Sequence, residues 1–360
     1  MENRLLQLRR EGLWLLISGV PLSSGERVSR EGGPQADYTA LMDTLTPDVL
    51  DASNLPRTPL LTLLRRHLGD TWAIGLAAAL IAQHYSAIVA AGEDVGLPLA
   101  FWMRSLHRST PLYMICHNVA GKRSRLLLQG LRLAAVPHRF LCLSTAQQRF
   151  LQVCYRIPRD RLQTICWHVD HRFFSPTMPP PVPTLICSAG MASRDYETLV
   201  TAVSDLPVQL KIAADSPWFQ QALNIRIDAL PSNVEVRSYG TYTALRDLYA
   251  QSAFVVVPLE NVAYAAGYTV VLEAMAMGKA VIVTRTRQPD DFIIEGKTGF
   301  RVPPGDADTL RERIQYLLDH PEAAQTMGGE GRRRVEQHFT IDHFVESIAR
   351  LLKELERGVG

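Results

Sequence analysis

No Cys-x-x-Cys pair occurs among the five cysteines, at positions 116, 142, 154, 166 and 187. An odd count without that spacing excludes a zinc knuckle and argues against a disulfide framework. Reduced thiols in a cytoplasmic protein are the expectation. Long apolar runs are also missing. The longest, Trp72 to Ala82, ends after eleven residues at Gln83 and His84, whereas a membrane-spanning helix needs about 20. The start, Met1 to Arg10, is too polar for a secretory signal peptide. The expected location is cytoplasmic, or peripheral on the inner face of the membrane. No Gly-x-Gly-x-x-Gly follows the first strand candidate, because Gly19 and Gly25 do not have that spacing. That weakens a redox reading of any nucleotide-binding fold. Histidines do not cluster, and Asp306-Ala-Asp308 opens a helical stretch, where acids suit the dipole. No metal and no cofactor are therefore expected. Acids are scarce between Arg104 and Arg161, where eleven basic residues meet one acid, Asp160.

What is present is an ordinary globular composition. The 360 residues are 47% hydrophobic and 21% charged, which excludes a disordered, collagen-like or coiled-coil chain. At roughly 150 residues per domain, two domains are expected, each able to bury a core. The net charge of +2 hides an asymmetry: residues 1–178 carry 20 Lys and Arg against 13 Asp and Glu, and the remainder 18 against 23. A basic half beside an acidic half suits an anionic partner for one of them.

Pro176-Thr-Met-Pro-Pro-Pro-Val-Pro183 holds five prolines in eight residues. Such a run cannot continue a helix or a central strand and makes a stiff connector. Strand candidates lie on both sides: Leu13–Ser18, Ala87–Ala91, Leu112–Cys116 and Phe140–Ser144 before it, then Thr184–Ser188, Val208–Ala214, Ala253–Pro258 and Ala280–Thr284. Continuous apolar runs of this kind mark strands buried on both faces. Helical stretches alternate with them at Tyr196–Ser204, Thr243–Gln251 and Thr269–Met277. The predicted class is α/β, two Rossmann-like domains facing a central cleft, with ligands at the carboxyl ends of the strands. The boundaries are 1–176 for an N-terminal domain and 177–340 for a C-terminal domain. A helix over 341–360 carries an apolar stripe, Phe344, Ile348, Leu351, Leu352 and Leu355, which must pack on something.

The richest segment runs from Ala253 to Asp306. A strand ends at Pro258, a loop follows to Gly267 and Tyr268, and Thr269 is placed to cap a helix that stops at Gly278. A glycine at a helix start lets the backbone amides of Gly267, Tyr268 and Thr269 approach a diphosphate. Glu273 stands alone among apolar residues one turn on. A carboxylate there needs hydrogen-bond donors. A ribose diol would supply two; a basic side chain of the same domain is the plainer alternative.

Glu273-Ala-Met-Ala-Met-Gly-Lys-Ala-Val-Ile282, Glu295-Gly-Lys-Thr-Gly299, Val302-Pro-Pro-Gly-Asp306, and Met327-Gly328 before Arg332-Arg-Arg334 occur in this order. They resemble the donor domain of the group 1 glycosyltransferases, the retaining family 4 class with a GT-B fold. His168-Val-Asp170 with Phe173, Phe174 and Pro176 is similar to that family's junction between domains. Ser188-Ala-Gly190 through Arg194-Asp-Tyr-Glu-Thr-Leu199 resembles its phosphate loop. The likeness covers roughly residues 165–350. The family's usual first glutamate of a Glu–seven residues–Glu pair falls on Ala265, and Met191 stands where an arginine is usual. Arg194 is then the candidate cation for the diphosphate.

The resemblance implies transfer of a sugar from a nucleotide-diphosphate sugar to an acceptor hydroxyl, with retention and without a metal. It also implies that the last helix crosses back to the N-terminal domain. Such a mechanism needs fixed positive groups around the leaving diphosphate and no carboxylate pair at glycosidase spacing. In the N-terminal half, His117 follows the strand Leu112–Cys116, and family members often place a histidine near the donor sugar there. Glu93-Asp94 follows Ala87–Ala91, and Glu93 is a candidate base toward the acceptor. A capping role for His117 and a surface role for Glu93 are the bland alternatives. Lys122, Arg123, Arg125, Arg132 and Arg139 around Leu126–Leu128, Leu131 and Leu133 have the pattern of a basic amphipathic helix. The 122–139 segment suits peripheral membrane contact or an anionic or lipid-linked acceptor. It lacks the interleaved aromatics of nucleic-acid binding. Two further readings stay open: a non-catalytic nucleotide-sugar binder or partner subunit, and an epimerase or phosphorylase of the same fold.

Overall fold

The computed structural model describes residues 14–165, 167–176, 181–214, 230–287 and 290–358, without the side chains of 24–26 and 356–358. Met1–Arg10, Leu13, Cys166 and residues 177–180 of the proline run lie outside them. The described residues form two compact units: 14–27, 36–165 and 344–358 in the first, 28–35 and 167–343 in the second. The division thus falls near residue 166, ten positions before the expected 176. Trp167–Phe174 packs with the second unit, where Val169 N–H donates to Phe339 O at 2.9 Å. Phe174 is buried there against Tyr249.

In the first unit, six strands form one sheet: β1 (Trp14–Ile17), β2 (Asp48–Leu50), β3 (Ala87–Ala90), β4 (Leu112–Cys116), β5 (Arg139–Cys142) and β6 (Leu162–Thr164). Their order is β2-β1-β3-β4-β5-β6, and every ladder is parallel. The apolar runs of β3 and β4 are buried at every position, because helices cover both faces of such a sheet. Winding reverses between β1 and β3, so the crevice outside their carboxyl ends is where this topology takes ligands.

The second unit repeats the plan with β7 (Leu185–Ala189), β8 (Gln209–Ala213), β9 (Val234–Arg237), β10 (Phe254–Val257), β11 (Ala280–Thr284) and β12 (Gly299–Val302). The order is β12-β11-β10-β7-β8-β9, again parallel throughout. The reversal lies between β7 and β10, and the loops leaving those two strands carry the residues of the donor-like motifs.

The helix Ile341–Gly358 places Phe344, Val345, Ile348, Ala349 and Leu352 in the core of the first unit. Ile348 and Leu352 line a narrow apolar crevice with Trp14, Leu16, Leu41 and Val89. The stripe thus covers the β1 and β3 region of that sheet. The basic segment departs from expectation. It is no continuous amphipathic helix but a short turn, Lys122–Arg125, a π-turn, Leu126–Gly130, and a 3-10 turn, Leu133–Ala135. Gly130 and the positive φ of Arg132, 52°, interrupt it. Leu127, Leu128 and Leu133 are buried, while Leu126 and Leu131 stay exposed among the cations.

Candidate functional site

The loop leaving β7 is built around Arg194. Gly190 has φ +92°, and a Cβ there would stand 2.5 Å from an Arg194 guanidinium nitrogen. Glycine is required on both counts. Arg194 is buried, and its Nε and Nη1 donate to Ala189 O at 2.9 Å and Ala192 O at 2.8 Å. Its charge is therefore spent partly on shaping its own loop. Met191, in the same turn, brings no charge.

The loop leaving β10 is fastened to it. Glu260 N–H donates to Ser193 O at 3.0 Å, and the Ser193 and Tyr264 hydroxyls are 2.7 Å apart. On its other side, Leu259 N–H donates to Thr284 Oγ1 at 2.9 Å. Gly267 closes the loop at φ 77°, packed over Val257 and Leu259. It is the residue before the helix Tyr268–Ala276, so the expected cap at Thr269 is corrected: the cap lies two positions earlier, at Gly267, with no side-chain cap bond. Left-handed backbone at Gly267 turns the chain into the helix and leaves the first-turn amides without intrahelical acceptors. Tyr268 is buried edge-on to Phe292, at 5.0 Å between ring centroids; its ring packs and only its backbone belongs to the turn. Thr269 is exposed, and its hydroxyl accepts from Trp167 Nε1 at 3.1 Å. The helix ends as expected, with Gly278 at φ 68° and the paired bonds of Gly278 N–H to Met275 O and Lys279 N–H to Ala274 O.

Glu273, in the same helix, is 5% exposed. Tyr249 Oη donates to its Oε2 at 2.9 Å. Burial pushes the carboxyl up to about 7, against the opposing pull of Tyr249 and Arg194. Its partner is thus a tyrosine, not the basic side chain that was the plainer expectation. Sequence reasoning missed Tyr249, which is one ordinary tyrosine in a helical stretch. It also missed the Ser193–Tyr264 link and Trp167. Ala265 is half-buried and offers no polar group.

In the first unit, Glu93 opens the helix Glu93–Ser105 after β3, and His117 follows β4. They are brought together. Glu93 Oε2 accepts His117 N–H at 2.7 Å, and Oε1 accepts Asn118 N–H at 2.8 Å. His117 Nε2 lies 2.9 Å from Ala91 O. Each Glu93 oxygen accepts one of these loop amides, so the carboxylate tethers the loop after β4 to the start of its own helix. The neighbouring Asp94 has its carboxyl raised, chiefly by desolvation and then by Glu93, with His117 pulling the other way.

Among the described residues, no group of three His, Cys, Asp or Glu is placed to hold a metal ion, and no helix is long and apolar enough to cross a membrane. Asp306 caps the helix Ala307–Asp319, accepting Thr309 N–H at 2.9 Å.

Comparison with known proteins bears on both units. Residues 183–320 match the family described as "Glycosyl transferases group 1". An uncharacterized glycosyltransferase of Methanocaldococcus jannaschii is 22% identical over 171 residues, 48% of each chain. The capsular polysaccharide biosynthesis glycosyltransferase CapM of Staphylococcus aureus is 34% identical over 89 residues, 24% of this chain and 23% of CapM. The chain thus spans about half the length of the first relative and less of the second. Solved structures match far more of it. HepE from Anabaena, in complex with UDP and glucose, has a TM-score of 0.71 at 15% identity over 95% of this chain and 100% of its own. Sucrose-phosphate synthase from Thermosynechococcus elongatus has a TM-score of 0.70 at 18% identity, over 96% and 99%. The fold is the GT-B fold of those structures.

Proposed function

We propose that this chain is a glycosyltransferase of the group 1 type, transferring a sugar from a nucleotide-diphosphate sugar to an acceptor hydroxyl with retention and without a metal. The observation that carries the reading is the turn at Gly267. It sets first-turn amides that lack intrahelical acceptors in the loop leaving β10, at the switch point of the second sheet, and the same helix carries the buried Glu273. Amides and helix dipole suit the leaving diphosphate, held in place before charge develops. Glu273 suits the ribose. Tyr249 takes one of its oxygens, and a ribose hydroxyl bonding the other would be worth more in that apolar setting than in water. Arg194 contributes its charge while it holds the Gly190 loop. The motif match over 183–320 supports the same assignment. HepE was captured with UDP and with UDP-glucose, which makes uridine the first base to try.

His117 belongs to the acceptor half of this reading, as a hydrogen-bond partner of the donor sugar. The acceptor itself is proposed to be anionic or lipid-linked, met by the exposed cations around 122–139, with peripheral contact at the inner face of a membrane. Ala265 and Met191 favour one rival, a binder without turnover, because they remove two polar groups that group 1 enzymes usually have. The test is transfer: wild type incubated with UDP-glucose and a panel of lipid-linked and sugar acceptors, in EDTA. A new glycoside with the anomeric configuration of the donor supports the enzyme. Nucleotide binding without any product on the panel favours the binder.

A further inference from the structure

We infer that Glu93 is a positioning residue for His117, tying down the loop after β4 so that the imidazole is held as the Nε2–H tautomer. This deepens the reading above, since it rests on His117 as a group that meets the donor sugar.

Glu93 is the first residue of its helix, where a carboxylate commonly serves its own first turn. Here it reaches across to a different loop, 24 residues on, and accepts two consecutive amides, His117 at 2.7 Å and Asn118 at 2.8 Å. Bonds from amides to an ionised carboxylate are stronger than neutral ones. The return contact runs the other way. His117 Nε2 meets Ala91 O, and a carbonyl can only accept, so Nε2 carries the proton. The backbone of His117 is thus fixed by the loop after β3 through Glu93, and its ring by the same loop through Ala91. In the neutral ring, Nδ1 is then the basic nitrogen.

The loop is also supported from the helix Thr145–Tyr155, where Gln147 Nε2 donates to Cys116 O at 2.8 Å. Removing Glu93 therefore frees the loop's first two amides without removing its support at Cys116. What Glu93 adds over that support is the orientation of the ring. A Cβ at Gly92 would only touch the ring, 3.4 Å from His117 Cδ2, and would meet Asp94 Oδ1 at 2.5 Å.

The experiment uses the full chain with nitrogen-15 in its histidine rings, and His117 is assigned by its loss in His117→Gln. Long-range proton–nitrogen correlation spectra report the tautomer directly. Wild type is expected to show a protonated Nε2 and an unprotonated Nδ1 at His117. Glu93→Gln, which keeps one acceptor oxygen and turns an amide group toward the other N–H, is expected to give a mixture of tautomers. Glu93→Asp, too short to span, is expected to do the same and covers the case in which the first variant does not fold. Release of UDP from UDP-glucose is the second readout. We expect Glu93→Gln to lower kcat by about tenfold with KM within about twofold, and to cost nothing further in a His117→Gln background, as groups acting through one another do. A protonated Nδ1 in wild type, unchanged His117 signals in both folded variants, or losses that simply multiply would overturn the assignment. A wild type that releases no UDP counts against the enzyme reading, and the ring signals still decide the role of Glu93.

Discussion

Burial and hydrogen bonding pull in opposite directions at Glu273. With its carboxyl raised from 4.5 to about 7, the folded chain binds a proton that the unfolded chain has released across that window. The contribution to stability is present below pH 4.5 and is lost as pH rises through 7, a swing on the order of 3 kcal/mol. Urea unfolding at pH 5 and pH 7.5 should therefore show a fall that Glu273→Gln lacks; equal falls in both would contradict the burial account. Tyr249→Phe removes the hydrogen-bond donor to Glu273 and should cost about 1–2 kcal/mol, extending that fall to higher pH while its onset stays where it is. At this scale the sequence was unevenly legible. Glu273 announced itself because a lone acid among apolar residues must have a reason. The residue type and place of Arg194 were legible, but its turn onto Ala189 and Ala192 was not, since the carbonyls of a tight loop have no signature. The tether at Glu93 was hidden for a related reason: no signature tells that the amides of a neighbouring loop bond its oxygens.

Strands buried in the middle of each sheet could be read from their apolar runs, and those at the edges could not. β2, β6, β9 and β12 lie at the four edges, and none was anticipated. Their sequences, DVL, LQT, VEVR and GFRV, are short or half polar, as edges facing water on one side tend to be. Helix ends were legible where a left-handed glycine stands, at Gly278, and off by two at Thr269, where Gly267 itself does the turning. Two predictions belong to this scale. Gly328 sits where the helix Pro321–His338 crosses Gly278, and a Cβ would meet Gly278 O at 1.9 Å. Gly328→Ala should lower stability by about 3 kcal/mol or more, with a clear drop in melting temperature; a neutral result would mean the helices do not pack this closely. Lys279 donates to Ala250 O at 2.7 Å, near the end of the helix Tyr242–Gln251. Burial brings its amine down to about 8, so the unfolded chain binds more protons between about 8 and 10.5. Stability should rise with pH there, and the rise should vanish in Lys279→Met.

Over the whole molecule, two parallel sheets, each with its own reversal of winding, were foreseeable from strand–helix alternation and the proline run. The path of the chain was foreseeable only in part. The first division falls near residue 166 because Trp167–Phe174 bonds with the second unit, a choice made by long-range contacts that prolines do not report. Charge was legible at this scale too, and it supports a prediction. Flotation with vesicles rich in phosphatidylserine should carry the chain at low salt, and Lys122, Arg123 and Arg125 replaced together by Gln should abolish that without changing nucleotide binding. Equal flotation of both would remove the 122–139 surface from the account. The central claim is that the Gly267 turn and Glu273 hold a nucleoside diphosphate, and thermal stabilisation by UDP in EDTA tests it most directly. Ligand at about 100 times its dissociation constant should add about 2.7 kcal/mol, raising the melting temperature in wild type and not in Glu273→Ala. No shift with UDP, GDP, ADP or TDP, or an equal shift in the variant, would contradict it.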